Sequence, residues 1–118
     1  MNTHMSRPDL ISPFCLNRVG LVLAAGIATH PDSQYHKGGA PGFSTSRYYE
    51  KAMRHMMQYA LGKKDEDHLA CAICNLNFII DIQGKAVEGV VPPELDDMPC
   101  YKTECEDGKT EEKQDDRA

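Results

Sequence analysis

Residues 46–83, SRYYEKAMRHMMQYALGKKDEDHLACAICNLNFIIDIQ, decide the fold of this chain. Apolar residues recur every three or four positions on both sides of a short charged segment, which is the spacing of two amphipathic helices joined by a turn. Ser44 to Ser46 are good N-caps for the first helix, which runs to Leu61, and Gly62 supplies its stop. Because the connection is short, the two helices must pack antiparallel.

Asp65 or Asp67 caps the second of these helices, which spans roughly residues 66–82. Apolar stripes on both helices are expected to form the core. They consist of Tyr49, Met53, Met56 and Ala60 on the first helix and of Leu69, Ile73, Leu76 and Ile80 on the second. A partly polar stripe also runs along the second helix, formed by His68, Cys71, Asn75 and Phe78.

A further helix precedes this hairpin. Ser12 is a plausible N-cap, Pro13 suits the first turn, and the helix ends by His30-Pro31. Its apolar stripe is Leu16, Val19, Leu23 and Ile27. Residues 31–43 form a loop of a length typical of a functional or a disordered segment, and Tyr35 and Lys37 favour an ordered loop near a ligand. Residues 86–91 predict a short strand or an extended arm.

The 118 residues suffice for one domain with one core. The sequence predicts a mainly α, small helical domain built on an antiparallel helix hairpin. We expect a flexible leader at residues 1–8, the helical domain at 9–91, and a Pro-bounded acidic tail at 92–118 that is mostly disordered. No segment is apolar enough to cross a membrane and the first ten residues lack a secretory core, so a cytoplasmic location is expected.

The net charge of −5 is unevenly distributed along the chain. From Glu94 onward there are ten acidic and four basic residues, so the remainder of the chain is close to neutral. No basic stripe or nucleic-acid-binding motif is present, which argues against nucleic acid as a partner. A small anionic ligand such as a nucleotide is compatible with this balance.

Two cationic residues lie seven positions apart on one helix, Arg47 and Arg54. Together with Lys37 they could hold a di- or triphosphate, because the guanidinium fork matches phosphate oxygens. The alternative is a solvated helix face on which Glu50 pairs with Arg54.

The acidic turn between the helices offers Asp65 and Asp67 as ligands for Mg²⁺, although acids at a helix start usually serve as caps. His55 and His68 come close in an antiparallel hairpin and could bind a metal or shuttle a proton, or be structural histidines. Asn75 could read a base or ribose, or bond a neighbouring carbonyl.

The cysteines allow two interpretations. Cys71, Cys74, Cys100 and Cys105 could form a four-cysteine zinc site that pins the C-terminal segment to the helix. Alternatively, Cys71 and Cys74 are small core residues of a helix.

The order of these motifs resembles a phage and prophage family, the N-terminal domain of dATP/dGTP diphosphohydrolase. The resemblance covers roughly residues 7–83. It rests on the pattern Arg7-x-Asp9-Leu10-Ile11-x-Pro13, on Tyr35-His36-Lys37-Gly38, on Ser46-Arg47-Tyr48-Tyr49 with Arg54-His55, and on His68-Leu69-Ala70 followed by Asn75. The family's second His after His-Leu-Ala is Cys71 here.

This resemblance implies an all-α phage protein of deoxynucleotide metabolism, similar to pyrophosphohydrolases of the MazG type that use Mg²⁺ held by helix carboxylates. On the first hypothesis, Asp65 and Asp67 hold Mg²⁺ and His55 or His68 assists proton transfer. The ligand-binding residues are then Tyr35, Lys37, Arg47, Tyr48, Arg54 and Asn75. Apart from the acidic turn, the two hairpin helices offer only Glu50 and Asp81 as acids. This favours a second hypothesis, a module that sequesters a nucleotide or a host immune signalling nucleotide.

Self-association is expected under either hypothesis. Met53, Met56, Met57, Phe78 and Ile79 add more apolar surface than one hairpin can bury. A homo-dimer or homo-tetramer would bury it. A third interpretation is a purely structural helical oligomer.

Overall fold

The computed structural model describes residues 5–101 as three α-helices and three short 3-10 turns. The helices are α1 (Pro13–Thr29), α2 (Thr45–Ala60) and α3 (His68–Val87). The 3-10 turns are Pro8–Leu10, Tyr35–Lys37 and Pro93–Leu95. No strand occurs within residues 5–101, so the expected mainly α class is confirmed.

The helix starts follow the capping residues of the sequence. The Ser12 hydroxyl accepts hydrogen bonds from two backbone N–H groups of the first turn of α1, and the Ser44 hydroxyl accepts one from Arg47 at the start of α2. Asp67 caps α3 by accepting from the backbone N–H of Ala70. Gly62 follows α2 with φ of 81°, a conformation that favours glycine. These caps explain why the starts of the helices and the end of α2 were predictable.

The prediction of a strand or arm over residues 86–91 is wrong. Helix α3 continues to Val87, and the chain then turns at Gly89, which has φ of 75°. The amide of Val90 bonds back to the carbonyl of Lys85, which closes this helix end.

Helices α2 and α3 form the expected antiparallel hairpin. His55 near the end of α2 meets His68 at the start of α3, whereas Tyr48 near the start of α2 contacts Phe78 in the second half of α3. Tyr48 is also a member of the buried apolar cluster, with Ile82 and with Val91 from beyond α3.

The predicted core stripes of the hairpin are wrong, because the helices face each other with different residues. Met53 is 41% exposed and Ile80 is 69% exposed. The buried residues of the hairpin are instead Thr45, Tyr48 and Ala52 on α2 and His68, Ala70, Cys71, Ala72, Cys74, Asn75 and Ile82 on α3. Small side chains dominate this set, and they let two helices approach closely while larger apolar residues remain outside.

Helix α1 packs against α3 more loosely and has no fully buried residue. Val19 and Leu23 of its predicted stripe are half-buried, whereas Leu16 and Ile27 are exposed.

The segment after α3 is anchored on the start of α2. The Asp97 carboxylate accepts hydrogen bonds from the Thr45 hydroxyl at 2.9 Å and from the backbone and hydroxyl of Ser46. The first part of the expected tail is therefore packed. Most of that tail, from residue 102 onward, and the first half of the expected leader lie outside the described residues. Across residues 5–101, no helix has the length and apolarity required to cross a membrane.

Candidate functional site

Three polar side chains form a hydrogen-bonded chain where α2 and α3 meet the turn. His55 Nδ1 lies 2.9 Å from His68 Nδ1, and His68 Nε2 lies 2.8 Å from Asp65 Oδ1. His68 is 5% exposed, whereas Asp65 is largely in solvent. The structure thus brings together both histidines and one of the two aspartates that the sequence singled out.

The chemistry of the three side chains decides which atom donates and which accepts in each of these hydrogen bonds. An ionised carboxylate only accepts, so His68 Nε2 carries the proton that bonds to Asp65. In a neutral His68, Nδ1 is then the acceptor and His55 Nδ1 the donor. The remaining nitrogen of His55, Nε2, consequently carries a lone pair.

The charge states of the end members fit this direction. The hydrogen bond from His68 lowers the pKa of Asp65 below its usual range, so this carboxylate stays ionised at neutral pH. Burial is the main cause that lowers the pKa of His55, and Glu66 opposes it. His55 is therefore predominantly neutral at pH 7, as a proton acceptor must be.

Glu66 adds a carboxylate to the two histidines. One ligand atom each of His55, Glu66 and His68 lies within 4.8 Å of the others, the arrangement of a possible metal-binding group. The Cys71 thiol donates to Glu66 Oε1 at 3.6 Å from the neighbouring turn of α3. Glu66 lies between the two aspartates that the sequence singled out and was not itself selected as a ligand.

Asp67, the other predicted Mg²⁺ ligand, is engaged elsewhere. Its two carboxylate oxygens accept from Arg18 of α1 at 2.7 and 2.8 Å, and Oδ1 also accepts from the backbone of Ala70. The hydrogen bond from Arg18 is the main cause that lowers the pKa of Asp67 to about 2. This carboxylate joins α1 to α3 and caps α3 in the same contact.

A cleft of about 440 Å³ opens beside the histidine chain. Such a volume is in the range of small-molecule sites. It is formed by the end of α2, the turn and the first residues of α3: Tyr59, Gly62, Lys63, Lys64, Glu66, Asp67, His68 and Leu69. The cleft combines an aromatic ring, two cationic side chains, two carboxylates and a histidine.

Two of the predicted ligand-binding residues lie near the other end of the hairpin. Tyr35 and Tyr48 both pack their rings against Phe78, with centroids 4.9 and 5.0 Å apart. The Tyr48 hydroxyl accepts hydrogen bonds from the backbone N–H groups of Gly42 and Phe43. Tyr35 is half-buried and Tyr48 buried, so both rings hold the loop before α2 against the hairpin.

The cationic candidates are not gathered into one cradle. Arg47 lies over the Phe43 ring at 4.8 Å, and Arg54 pairs with Glu50 at 3.7 Å on the exposed face of α2. Lys37 is exposed at the end of its 3-10 turn. The Glu50–Arg54 pair is the arrangement that the alternative interpretation expected.

The remaining candidates are core residues of α3. Asn75 is buried and donates through Nδ2 to the carbonyl of Cys71 one turn earlier. Cys71 and Cys74 are buried, and burial raises the pKa of both thiols, that of Cys71 to about 11. This matches the interpretation of the pair as core residues. Cys105, the fourth residue of the zinc hypothesis, lies outside the described residues.

Sequence reasoning missed three residues around the cleft for identifiable reasons. Arg18 is the only charged residue of α1, and its position in an apolar helix could have signalled a carboxylate partner. Lys63 and Lys64 are adjacent in the turn, where two lysines ordinarily indicate only a solvated connection.

Comparison with known proteins gives one family. The model described as dATP/dGTP diphosphohydrolase, N-terminal, matches residues 1–89, which include all three helices and every residue of the cleft. Neither the curated proteins nor the solved structures contain a match to this chain.

Proposed function

The chain belongs to the dATP/dGTP diphosphohydrolase N-terminal domain family, and on this premise we propose that it binds a purine deoxynucleoside triphosphate and hydrolyses it to the monophosphate and pyrophosphate. The observation that carries the proposal is the series of hydrogen bonds from Asp65 through His68 to His55, which lies beside a cleft with two lysines. The family description suggests the substrate class. His55 is the proposed base, and Lys63 and Lys64 are the cationic groups of the cleft.

The residues of the cleft have distinct roles in this proposal. Lys63 and Lys64 neutralise the triphosphate, and Tyr59 offers an aromatic face to the base. A water molecule near His55 Nε2 attacks the α-phosphorus. The new bond joins the water oxygen to this phosphorus, and the bond from the α-phosphorus to the oxygen bridging the β-phosphorus breaks.

The water proton passes to His55 Nε2 as the new bond forms. The Nδ1 proton of His55 then moves to His68 Nδ1, 2.9 Å away. The Asp65 carboxylate stabilises the resulting imidazolium through the Nε2–H bond at 2.8 Å. General-base assistance of this kind contributes about 10²- to 10⁴-fold to a rate.

The sequence predicted that Asp65 and Asp67 hold Mg²⁺, and this remains a proposal. The contacts that both side chains make in the structure do not favour it. Mg²⁺ takes oxygen ligands in near-octahedral geometry. Asp67 already bonds to Arg18 with both oxygens, and Asp65 accepts from His68. Mg²⁺ on these oxygens would compete with both contacts.

A specific observation favours the second candidate function, binding without turnover. The helix carboxylates that a MazG-type enzyme would use for metal are paired, Glu50 with Arg54 and Asp81 with Lys85. On this alternative the same cleft sequesters a nucleotide, or a signalling nucleotide of a host immune system, and releases it intact.

The two functions are separated by incubation with dGTP and dATP, with and without Mg²⁺, followed by chromatography of the recovered nucleotide. Monophosphate and pyrophosphate support hydrolysis, and bound nucleotide that is recovered intact supports sequestration. Replacing Lys63 and Lys64 by alanine should weaken binding under both, whereas Lys51→Ala, which removes an ammonium group over the Phe43 ring and outside the cleft, is the matched control. If neither triphosphate binds, the proposal is wrong.

The predicted homo-dimer or homo-tetramer is part of this proposal. Within residues 5–101, α1 has no buried residue and Phe14 is 81% exposed. Leu21, Met57 and Ile80 are also more than half exposed. A second copy of the chain would bury this surface. Light scattering coupled to size-exclusion chromatography should give a mass of at least two chains, and a monomer would contradict it.

A further inference from the structure

We propose that His55, His68 and Glu66 form a site for a divalent metal ion of the Zn²⁺ class, a use of these residues that neither the family description nor the hydrolytic mechanism includes. The two histidines would bind through their facing Nδ1 atoms. Glu66 would be the third ligand, and Asp65 would orient His68 from outside the ligand set. The site is distinct in ligand chemistry from the Mg²⁺ site expected from the sequence.

The histidine nitrogens already have a suitable separation. Two nitrogen ligands at about 2.0–2.1 Å from one ion lie roughly 2.9 Å apart at a right angle and roughly 3.3 Å apart in a tetrahedron. His55 Nδ1 and His68 Nδ1 are 2.9 Å apart. The separation therefore needs to change by no more than a few tenths of an ångström. The ion would lie to one side of the line between the two nitrogens, so both rings must also rotate to turn their lone pairs towards it, and the Nδ1 proton of His55 must move to Nε2.

The third ligand is close and adjustable. One carboxylate oxygen of Glu66 and one ring nitrogen of each histidine lie within 4.8 Å of one another, and the exposed Glu66 side chain can change rotamer to approach the facing Nδ1 atoms. Two histidines and one carboxylate form a donor set found in zinc and other first-row transition-metal sites. This mixed set does not suit Mg²⁺, which prefers oxygen ligands.

Asp65 supplies the outer contact that such sites require. A metal-bound histidine usually donates its other N–H to a carboxylate or carbonyl, which fixes the ring orientation. His68 does so before any ion is bound, with Nε2 2.8 Å from Asp65. Because His68 is 5% exposed, packing holds this ring as well. One ligand is thus oriented in advance.

The neighbouring Cys71 does not belong to this site. Its thiol donates to Glu66, and it is buried in α3. Among the described residues, the ligand atoms that lie within 4.8 Å of one another come from His55, Glu66 and His68, and no cysteine sulfur is among them. The ligand set is therefore expected to contain no sulfur.

The histidine pair cannot bind a metal ion and relay a proton at the same time. When both Nδ1 lone pairs bind an ion, the His55 proton resides on Nε2, which then cannot accept a proton from water. The metal proposal consequently does not rest on the hydrolytic function. It is tested on protein without nucleotide, so that failure of one proposal leaves the other standing.

The test is titration of the full, chelator-treated chain with Zn²⁺ by calorimetry and with Co²⁺ by absorption spectroscopy. We expect one ion per chain, unaffected by excess Mg²⁺. His55→Asn and Glu66→Gln should each weaken Zn²⁺ binding at least tenfold. Asp65→Asn, a change in a positioning residue, should weaken it about 10- to 100-fold. His36→Asn, in the exposed 3-10 turn, is the matched control and should bind normally.

Three results would overturn the proposal. These are absence of Zn²⁺ binding, unchanged affinity in both His55→Asn and Glu66→Gln, and a strong near-ultraviolet thiolate-to-Co²⁺ band, which would assign the ion to cysteines. Circular dichroism of each variant separates loss of a ligand from loss of the fold. Glu66 lies on the exposed turn, so Glu66→Gln remains informative even if His55→Asn does not fold.

Discussion

Replacement of Asp67 tests whether this carboxylate is a structural clamp rather than a metal ligand. Asp67→Ala removes the N-cap of α3 and the bidentate contact with Arg18. Loss of the cap should cost about 1 kcal/mol. Lowering a carboxyl pKa from 3.8 to about 2 corresponds to roughly 2.5 kcal/mol before screening. Because the Asp67 side chain is 35% exposed, we discount the ion pair to about 1 kcal/mol.

The expected loss of unfolding free energy is therefore about 2 kcal/mol for Asp67→Ala. Asp67→Ser keeps a capping oxygen and should lose only the ion pair, about 1 kcal/mol, and Arg18→Ala removes the same contact from the other side and should also destabilise the chain. Urea unfolding followed by circular dichroism measures these differences. With a slope near 1–2 kcal/mol per molar, the alanine variant should unfold at about 1–2 M less urea.

The ion pair also predicts a pH dependence of known sign. The pKa of Asp67 is lower in the folded chain than in the unfolded chain. The stability it supplies is complete above pH 4 and is lost as the pH falls from about 4 towards 2. Asp67→Ala should flatten this part of the stability profile. Equal stability of the wild type, Ala and Ser chains at pH 7 would refute the reasoning.

Three other predictions follow from contacts in the hairpin and around it. Tyr48→Phe leaves the N–H groups of Gly42 and Phe43 without their acceptor and should lower the unfolding free energy by about 1–3 kcal/mol in urea titration; an unchanged midpoint would contradict this. Burial raises the pKa of the Cys71 thiol to about 11, so iodoacetamide should alkylate Cys71 more slowly than the half-buried Cys15. Peptide mass spectrometry measures both rates, and equal rates would contradict the buried position of Cys71. Asp97→Ala should speed hydrogen exchange in residues 93–97, since three donors of Thr45 and Ser46 lose their acceptor, and unchanged exchange would mean that this contact does not hold the segment.

The sequence was sufficient for the helices because caps and turn residues act locally. Ser12, Ser44 and Asp67 each bond to backbone groups within three residues, and Gly62 adopts a conformation that few other residues tolerate. The end of α3 was less predictable. Gly84 has the appearance of a helix stop but lies inside α3, and the valines around Gly89 have a strand-like composition.

The inward faces could not be deduced from periodicity alone. The second hairpin helix had two stripes with helical spacing, and the large apolar residues of both helices, such as Met53 and Ile80, suggested the wrong faces. The structure buries Ala52 and Cys71 instead, because small residues permit close helix contact. The large apolar residues that remain exposed are the reason for the proposed oligomer.

The site was partly predictable for a related reason. Short connections bring His55 and His68 together, so their proximity follows from topology. The partners of the acids depend on side-chain direction and on a third helix. Only the structure therefore assigns Asp65 to His68 and Asp67 to Arg18. The cysteine and histidine patterns gave no means to select Glu66 over its two acidic neighbours.

The central claim is that His55 acts as the base of a nucleotide-hydrolysing site. The most direct measurement is the rate of pyrophosphate release from dGTP and dATP by the wild type, by His55→Asn and by the exposed-loop control His36→Asn at the same protein concentration. We expect the wild type and His36→Asn to release pyrophosphate at the same rate, and His55→Asn to be about 10²- to 10⁴-fold slower with its helical content unchanged. Equal rates in all three would contradict the assignment of His55, and intact nucleotide in all three would contradict hydrolysis itself.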